Sequence, residues 1–291
     1  METRWLYTTS ENFPALREAA KETCVIPMGC VEKHGLHLPL GTDIITISRR
    51  AYLASQLEPV CVFPDFTFGD IPTNSPNRPE GTIMMPVDLE MAMLEHFCEQ
   101  IASKGFKKII VYNGHGGNGS WLATFLRKLA DKPRDYVVMV VNSLVRAPKD
   151  LATILLKEGS GSIPELTKED EELIIKYYEM SMQCGHACFT ETARVMGICP
   201  ETVNLDLLGI ESGLSTHLAD KYADMGIKLC DGGWNINYPN AFHGHDPIGC
   251  NERIGKATIR LEAEKAAKVF KFVKDDEDLL KWQRADWNLE G

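Results

Sequence analysis

The sequence predicts an α/β fold, a three-layer sandwich with a mainly parallel central sheet covered by helices on both faces. Three observations carry this expectation. Short apolar runs alternate with helix-length stretches through the first half of the chain. Those runs are close to continuously apolar, as strands buried on both faces are. Two of them empty into loops rich in Gly, His and acidic residues, the place where open α/β sheets put their ligand sites.

The elements follow in order. Thr23–Met28 (TCVIPM) reads as a buried strand. Thr42–Leu57 reads as a helix, with Thr42 or Asp43 suited to its N-terminus. A short strand at 60–63 precedes a Pro- and Asn-rich loop at 69–81. A helix at 88–103 ends at Lys104-Gly105. The strand at 107–112 runs into a Gly-rich turn at 113–119, a helix at 120–130 and a strand at 136–141. This repeat of strand, loop and helix predicts βαβ units. Residues 146–182 break the rhythm with a Gly/Ser/Pro stretch and an acidic helix at 168–182, and read as a helical insertion. An amphipathic helix over Glu252–Asp275 closes the fold. We expect one domain over residues 1–291, since 291 residues suffice for one large buried core.

Composition narrows the function. Lys plus Arg total 31 against 41 Asp plus Glu, a formal charge of −10. Such a chain has no overall attraction for nucleic acid or an anionic membrane. No apolar run is long enough to span a bilayer, and the first residues lack the apolar core of a secretory signal. The nine cysteines are odd in number and show no paired spacing, which reads as reduced thiols in a cytoplasmic protein.

Three clusters offer chemistry. The first is Glu32-Lys33-His34-Gly35-Leu36-His37, running on to Asp43 at a helix start. Glu32 and His34 are two apart, so an extended segment points both to one side. Pro39 and Gly41 allow the chain to bring Asp43 back toward them. Carboxylate, imidazole and carboxylate suit Zn, Mn, Fe or Co, and one Asp can bridge two ions. A polar loop with capping or exposed histidines is the competing reading. The second cluster is Asn113-Gly114-His115-Gly116-Gly117-Asn118. Its glycines permit close approach of a ligand, against a phosphate cradle or a plain tight turn. The third is His186-Ala187-Cys188-Phe189-Thr190-Glu191-Thr192 at a short helix ending near Gly197. Glu191 could ligate a metal and His186 could serve as acid, base or substrate contact. The alternative is a surface histidine and a helix-start acid. His243-Gly244-His245-Asp246 has a metal-motif look but reads better as a substrate or subunit-contact loop. Cys30, Cys184 and Cys188 are taken as buried small hydrophobes. Trp234 could line a pocket.

The segments PMGCVEKHGLHLPLGTD, NGHGGN and HACFTET, in this order, resemble the signatures of the creatininase (creatinine amidohydrolase) family. SPNRPEGTIMM resembles the family's loop ending in Gly-Thr, and HDPIGCNERIGKATIRLEAEK its closing loop and last helix. The similarity spans residues 23–268 apart from 146–182. It implies a creatininase-like fold and a metal-dependent hydrolase with two divalent ions per chain, zinc first, manganese or iron otherwise. By position, Glu32 and His115 would hold one ion, His34 the other, and Asp43 would bridge them. Creatininases proper place a ligand Glu where this chain has Gly117, so Glu191 is the candidate replacement. They also carry a Trp-Asp pair where this chain has Met182-Gln183. The substrate implied is therefore a small cyclic amide or related ring, not creatinine.

His186 would protonate the leaving group. Asn118 and the Gly116 and Gly117 amides would bind an oxyanion or substrate, with His243 and His245 nearby. Family relatives also act on formamides, on peptides and on carbon–carbon bonds of cyclic diketones such as oxidised inositols. The alternatives are therefore a carbon–carbon ring hydrolase and a metal-binding scaffold without catalysis. The resemblance further implies a homo-oligomer, by family a hexamer.

Overall fold

The structure, a computed structural model, describes residues 1–71, 80–230 and 232–289. After α1 (Phe13–Ala19), β1 (Thr23–Met28) leads to α2 (Thr42–Leu57) and β2 (Cys61–Val62). Then come α3 (Val87–Ser103), β3 (Lys108–Asn113), α4 (Asn118–Leu129) and β4 (Val137–Asn142). The predicted strands at 107–112 and 136–141 each sit one residue later, and α4 starts two residues earlier than expected, at Asn118. Of the predicted loop at 69–81, residues 72–79 lie outside the described residues, as does part of the SPNRPEGTIMM segment.

The four strands form one parallel sheet in the order β2-β1-β3-β4. β1 and β3 run in register from Thr23 opposite Lys108 to Met28 opposite Asn113. Alternate residues divide between two faces. Cys24, Ile26, Met28, Ile109 and Val111 pack with Leu94 and Ile101 of α3 and with Trp121 and Phe125 of α4. Val25, Ile110 and Tyr112 pack with Ile47, Ala51 and Ala54 of α2 on the other face. The three layers the sequence predicts are therefore present.

The strand order also fixes where a ligand goes. From β1 the chain passes to β2 on one side, and from β3 to β4 on the other. The loops leaving β1 and β3 diverge, which opens a crevice between adjacent strand ends. Gly29 allows the first loop to fold tightly over α2, since a Cβ there would lie 2.7 Å from the Ile44 nitrogen.

Residues 146–182 form α5 (Lys149–Glu158) and α6 (Lys168–Glu179), so the acidic helix stops three residues short of Met182. β5 (Cys184–His186), α7 (Phe189–Met196), α8 (Asp220–Asp224), α9 (Trp234–Asn237) and β6 (His243–Gly244) lead to α10 (Glu252–Asp275) and α11 (Asp278–Asp286). β5 and β6 pair antiparallel in a second, two-stranded sheet. Leu151, Leu155, Ile174 and Tyr177 of α5 and α6 pack with Phe189 of α7 and Ile254 of α10. Phe270 of α10 belongs to the α2 face of the main core. Arg50 of α2 and Arg194 of α7 both pair with Glu262 of α10, at 3.1 and 2.7 Å, in full burial. Those ion pairs clip three helices together behind the crevice.

The expectation of unpaired cysteines fails for one pair. Cys184 and Cys188 form a disulfide, because the turn between β5 and α7 brings their Cα atoms to 5.1 Å. The other seven cysteines are free. Among the described residues no helix is long and apolar enough to cross a membrane.

Candidate metal centre

Glu32 and His34 leave β1 on a loop closed by the Glu32 N–H donating to the Leu40 carbonyl at 3.0 Å. Asp43 lies in the first turn of α2, and His115 stands two residues beyond the end of β3. Glu191 stands in the first turn of α7 and His186 ends β5. Six residues from three separate stretches of sequence thus meet at the crevice.

Asp43 stands between two imidazoles. Its Oδ1 lies 3.4 Å from His34 Nε2, and its Oδ2 lies 2.9 Å from His115 Nδ1. Glu32 Oε1 is also 2.9 Å from His115 Nδ1. Glu191 Oε2 approaches His34 Nε2 at 3.7 Å. The His186 ring stacks on His34 with centroids 4.1 Å apart, and its Nδ1 is 3.8 Å from Glu32.

Each of the three rings is fixed by its other nitrogen. His115 Nε2 bonds the Asp70 carbonyl at 2.9 Å, His34 Nδ1 the Glu32 carbonyl at 3.1 Å, and His186 Nε2 the Lys33 carbonyl at 2.8 Å. A carbonyl can only accept, so those nitrogens carry the N–H. The nitrogen facing the carboxylates is left with a lone pair in the neutral ring, the arrangement that prepares imidazole as a metal ligand.

The electrostatics calls for positive charge. Burial pushes the Glu32 carboxyl up, but His115, His186 and His34 outweigh it and hold it at about 2. Burial likewise opposes ionisation of Asp43, and His34 with His115 keeps it well below the usual range. Burial lowers His34, yet Asp43, Glu191 and Glu32 lift it to about 10. His115 rises well above its ordinary value, where burial is outweighed by Cys30, Glu32 and Asp43. Protons on these rings or bound cations satisfy the same need.

The donor set fits metal ions. Ligand atoms of Cys30, Glu32, Asp43 and His115 lie within 4.8 Å of one another, as do those of His34, Asp43 and Glu191. Glu32, His34 and His186 form a third such group. His34 Nε2 is buried and makes no hydrogen bond, an expensive state without a partner. Buried oxygen and imidazole donors of this kind suit zinc or manganese.

A cavity of 500 Å³ opens on this cluster, lined by Asp70, Gly116, Gly117, His186 and Trp234 among others. Trp234 meets His186 edge-on at 5.4 Å, so the sequence expectation of a pocket residue holds. A second cavity of 510 Å³ reaches His115 and Glu191 from the other side, past Arg146 and His243. Both volumes suit small molecules. His243 stacks on Tyr238 at 3.9 Å and faces the second cavity. His245 lines neither; its Nδ1 accepts from the Gln183 N–H at 3.0 Å. Met182 and Gln183 are likewise absent from both linings.

Asn118 departs from its expected role as a substrate contact. Its Oδ1 accepts from the Asp70 N–H and Trp121 Nε1, and its Nδ2 donates to Asn113 Oδ1. With the side chain fully buried, those bonds hold the Asp70 turn against His115. Gly117 is required by the same turn. A Cβ there would come within 2.2 Å of the Asp70 oxygen and 2.5 Å of His115 Nε2, so no side chain at 117 reaches an ion in this backbone. Asp70 itself was missed in the sequence, because it acts through its carbonyl and any residue type has one. His37 is a neutral core histidine, pushed down to about 4 by burial and bonded to Thr192. Lys33 turns away to pair with Glu211 at 2.7 Å.

Fold and site together define a three-layer α/β protein with a buried carboxylate–imidazole centre of metal-ligand type. The sequence model of the creatinine amidohydrolase family matches residues 7–271, and the chain belongs to the creatininase family. A Bacteroides fragilis protein classed as a creatinine amidohydrolase superposes with TM-score 0.66 at 22% identity, over 95% of this chain and 99% of its own. A manganese creatininase gives 0.68 at 14% identity, over 95% and 100%. A creatininase variant of the zinc–zinc type gives 0.67 at 15%, over 95% and 100%. At these identities the structures establish the shared fold. No curated protein matches the sequence.

Proposed function

We propose that the protein is a metal-dependent hydrolase acting on a small cyclic amide or related ring compound, and that creatinine is not its substrate. The observation that carries this reading is Asp43, whose two oxygens face two imidazoles already oriented to offer lone pairs. Glu32, Asp43 and His115 would hold one ion, and His34, Asp43 and Glu191 the other. Zinc is our first choice, with manganese or iron as alternatives.

Such a pair, when bound, supplies hydroxide near neutral pH and polarises a carbonyl. The chain's own groups do the remaining work. His186 is anchored through Nε2 on the Lys33 carbonyl, which leaves Nδ1 to take a proton and return it to the leaving nitrogen. Trp234 restrains that ring and walls the cleft. Gly116 and Gly117 line the same cleft, and their amides would suit a developing oxyanion. His243 and Arg146 mark the second approach to the centre.

Met182 and Gln183 support the exclusion of creatinine, since they stand where creatininases proper carry Trp-Asp and neither lines either of the two cavities at the centre. The test is an assay of zinc- or manganese-loaded protein on creatinine, other cyclic amides and cyclic diketones. We expect ring opening of at least one of the latter two classes, lost on chelation. We also expect kcat/KM on creatinine below the usual enzyme range of roughly 10⁴ M⁻¹s⁻¹. Creatinine turnover above that level contradicts the substrate reading. No turnover of any ring with both ions bound would favour the scaffold reading instead.

A further inference from the structure

Cys30 leaves β1 two residues ahead of Glu32 and is completely buried. Its Sγ lies 3.2 Å from Asp43 Oδ2 and 3.5 Å from Glu32 Oε1. A thiol has one proton, so it can satisfy only one of these oxygens. The other contact sets lone pair against lone pair in a buried site, which a cation between them would relieve. The same two oxygens each lie 2.9 Å from His115 Nδ1.

These four contacts are four of the six edges of a tetrahedron with corners at Cys30, Glu32, Asp43 and His115. Zinc bonds of about 2.3 Å to sulfur and about 2.0–2.2 Å to nitrogen and oxygen give tetrahedral edges of roughly 3.5–3.7 Å from sulfur and roughly 3.3–3.6 Å between nitrogen and oxygen. The observed edges, 2.9–3.5 Å, run from near those values to roughly half an ångström inside them, so seating the ion requires the four ligand atoms to move outward. The adjoining His34 Nε2 is buried without a hydrogen bond and lies 3.4 Å from the other oxygen of Asp43, so the same carboxylate faces a second imidazole donor.

We propose that Cys30, as thiolate, is the fourth protein ligand of the ion held by Glu32, Asp43 and His115, and that its sulfur biases this position toward zinc over manganese. This rests on the metal-centre reading above. On binding, the thiol proton leaves to solvent and the sulfur donates its lone pair to the ion. Soft thiolate favours zinc, whereas manganese prefers carboxylate and water. The two positions would then differ, with one N,O,S set and one N,O set sharing Asp43.

The probe is the metal alone. Purified full-length protein is loaded with cobalt(II), and separately with zinc for X-ray absorption at the zinc edge. We expect a near-ultraviolet thiolate-to-cobalt charge-transfer band. With two zinc ions bound, we expect half a sulfur per zinc at about 2.3 Å. Cys30→Ser should abolish the band and reduce the zinc-over-manganese preference of one ion at least about tenfold, the lower end of what even outer-shell changes produce. Cys230→Ser removes an exposed thiol on the same cavity and should leave the band intact. Two ions bound with no sulfur scatter, or a band that survives in Cys30→Ser, overturns the proposal and leaves the metal centre standing. No ion bound by the wild type overturns both. If Cys30→Ser does not fold, Cys30→Ala takes its place, and the absorption edge of the wild type already decides whether sulfur is present.

Discussion

The Glu191 carboxylate serves two neighbours at once. Its Oε2 accepts the Ala187 N–H at 2.5 Å, holding the turn into α7, and the same atom lies 3.7 Å from His34 Nε2. Glu191→Gln separates these duties, because an amide oxygen still accepts the backbone N–H but carries no charge. We expect metal titration of this variant to lose at least about tenfold in affinity for one ion and little for the other. Two ions bound with unchanged affinity and a slightly lower melting temperature would reduce Glu191 to a cap, worth about 1 kcal/mol. At this scale the sequence was informative wherever residue type carries the chemistry. Glu32, His34, Asp43, His115, His186 and Glu191 were all legible, and the fold brings them together. Asp70 was not, because its contribution is a main-chain carbonyl. Asn118 was expected to bind substrate or an oxyanion, and its actual partners, Asp70, Trp121 and Asn113, are set by tertiary packing.

At the scale of elements, Asp170 ties α6 to the start of α10. It closes the capping box of α6 with Thr167, and it receives Arg253 at 2.6 Å and Asn251 at 2.7 Å from the start of α10. Burial raises its pKa, but Arg253, the Thr167 backbone and Asn251 outweigh it and hold the group well below the usual range. A depressed folded pKa gives stability that is fully present above the unfolded value of about 3.9 and lost as pH falls toward the folded one. Asp170→Asn should therefore cost about 1–3 kcal/mol near neutral pH, with its melting curve converging on the wild type below about pH 3. A deficit that stayed constant down to that pH would mean the charge is irrelevant. The main strands and helices were readable because apolar runs and amphipathic periods repeat long enough to recognise. β5 and β6, of three and two residues, have no period to read. The Cys184–Cys188 bridge was missed for a related reason, since the turn that closes it runs from the three-residue β5 into α7.

Over the whole molecule, the sheet order leads to one place. The order β2-β1-β3-β4 opens its crevice between β1 and β3, where Glu32, Asp43 and Glu191 gather acidic charge in burial. Ions that bind there and not to the unfolded chain stabilise it, by about 2.7 kcal/mol per site at a hundredfold excess over Kd. Stripping with a chelator should lower the melting temperature, and zinc or manganese should restore it. The most direct test is elemental analysis of carefully purified protein, as isolated and after zinc or manganese loading, beside Asp43→Asn. The account requires two ions per chain in the wild type and loss of affinity at both positions in the variant. A wild-type protein that holds no stoichiometric metal after loading, with no rise in melting temperature, would contradict it.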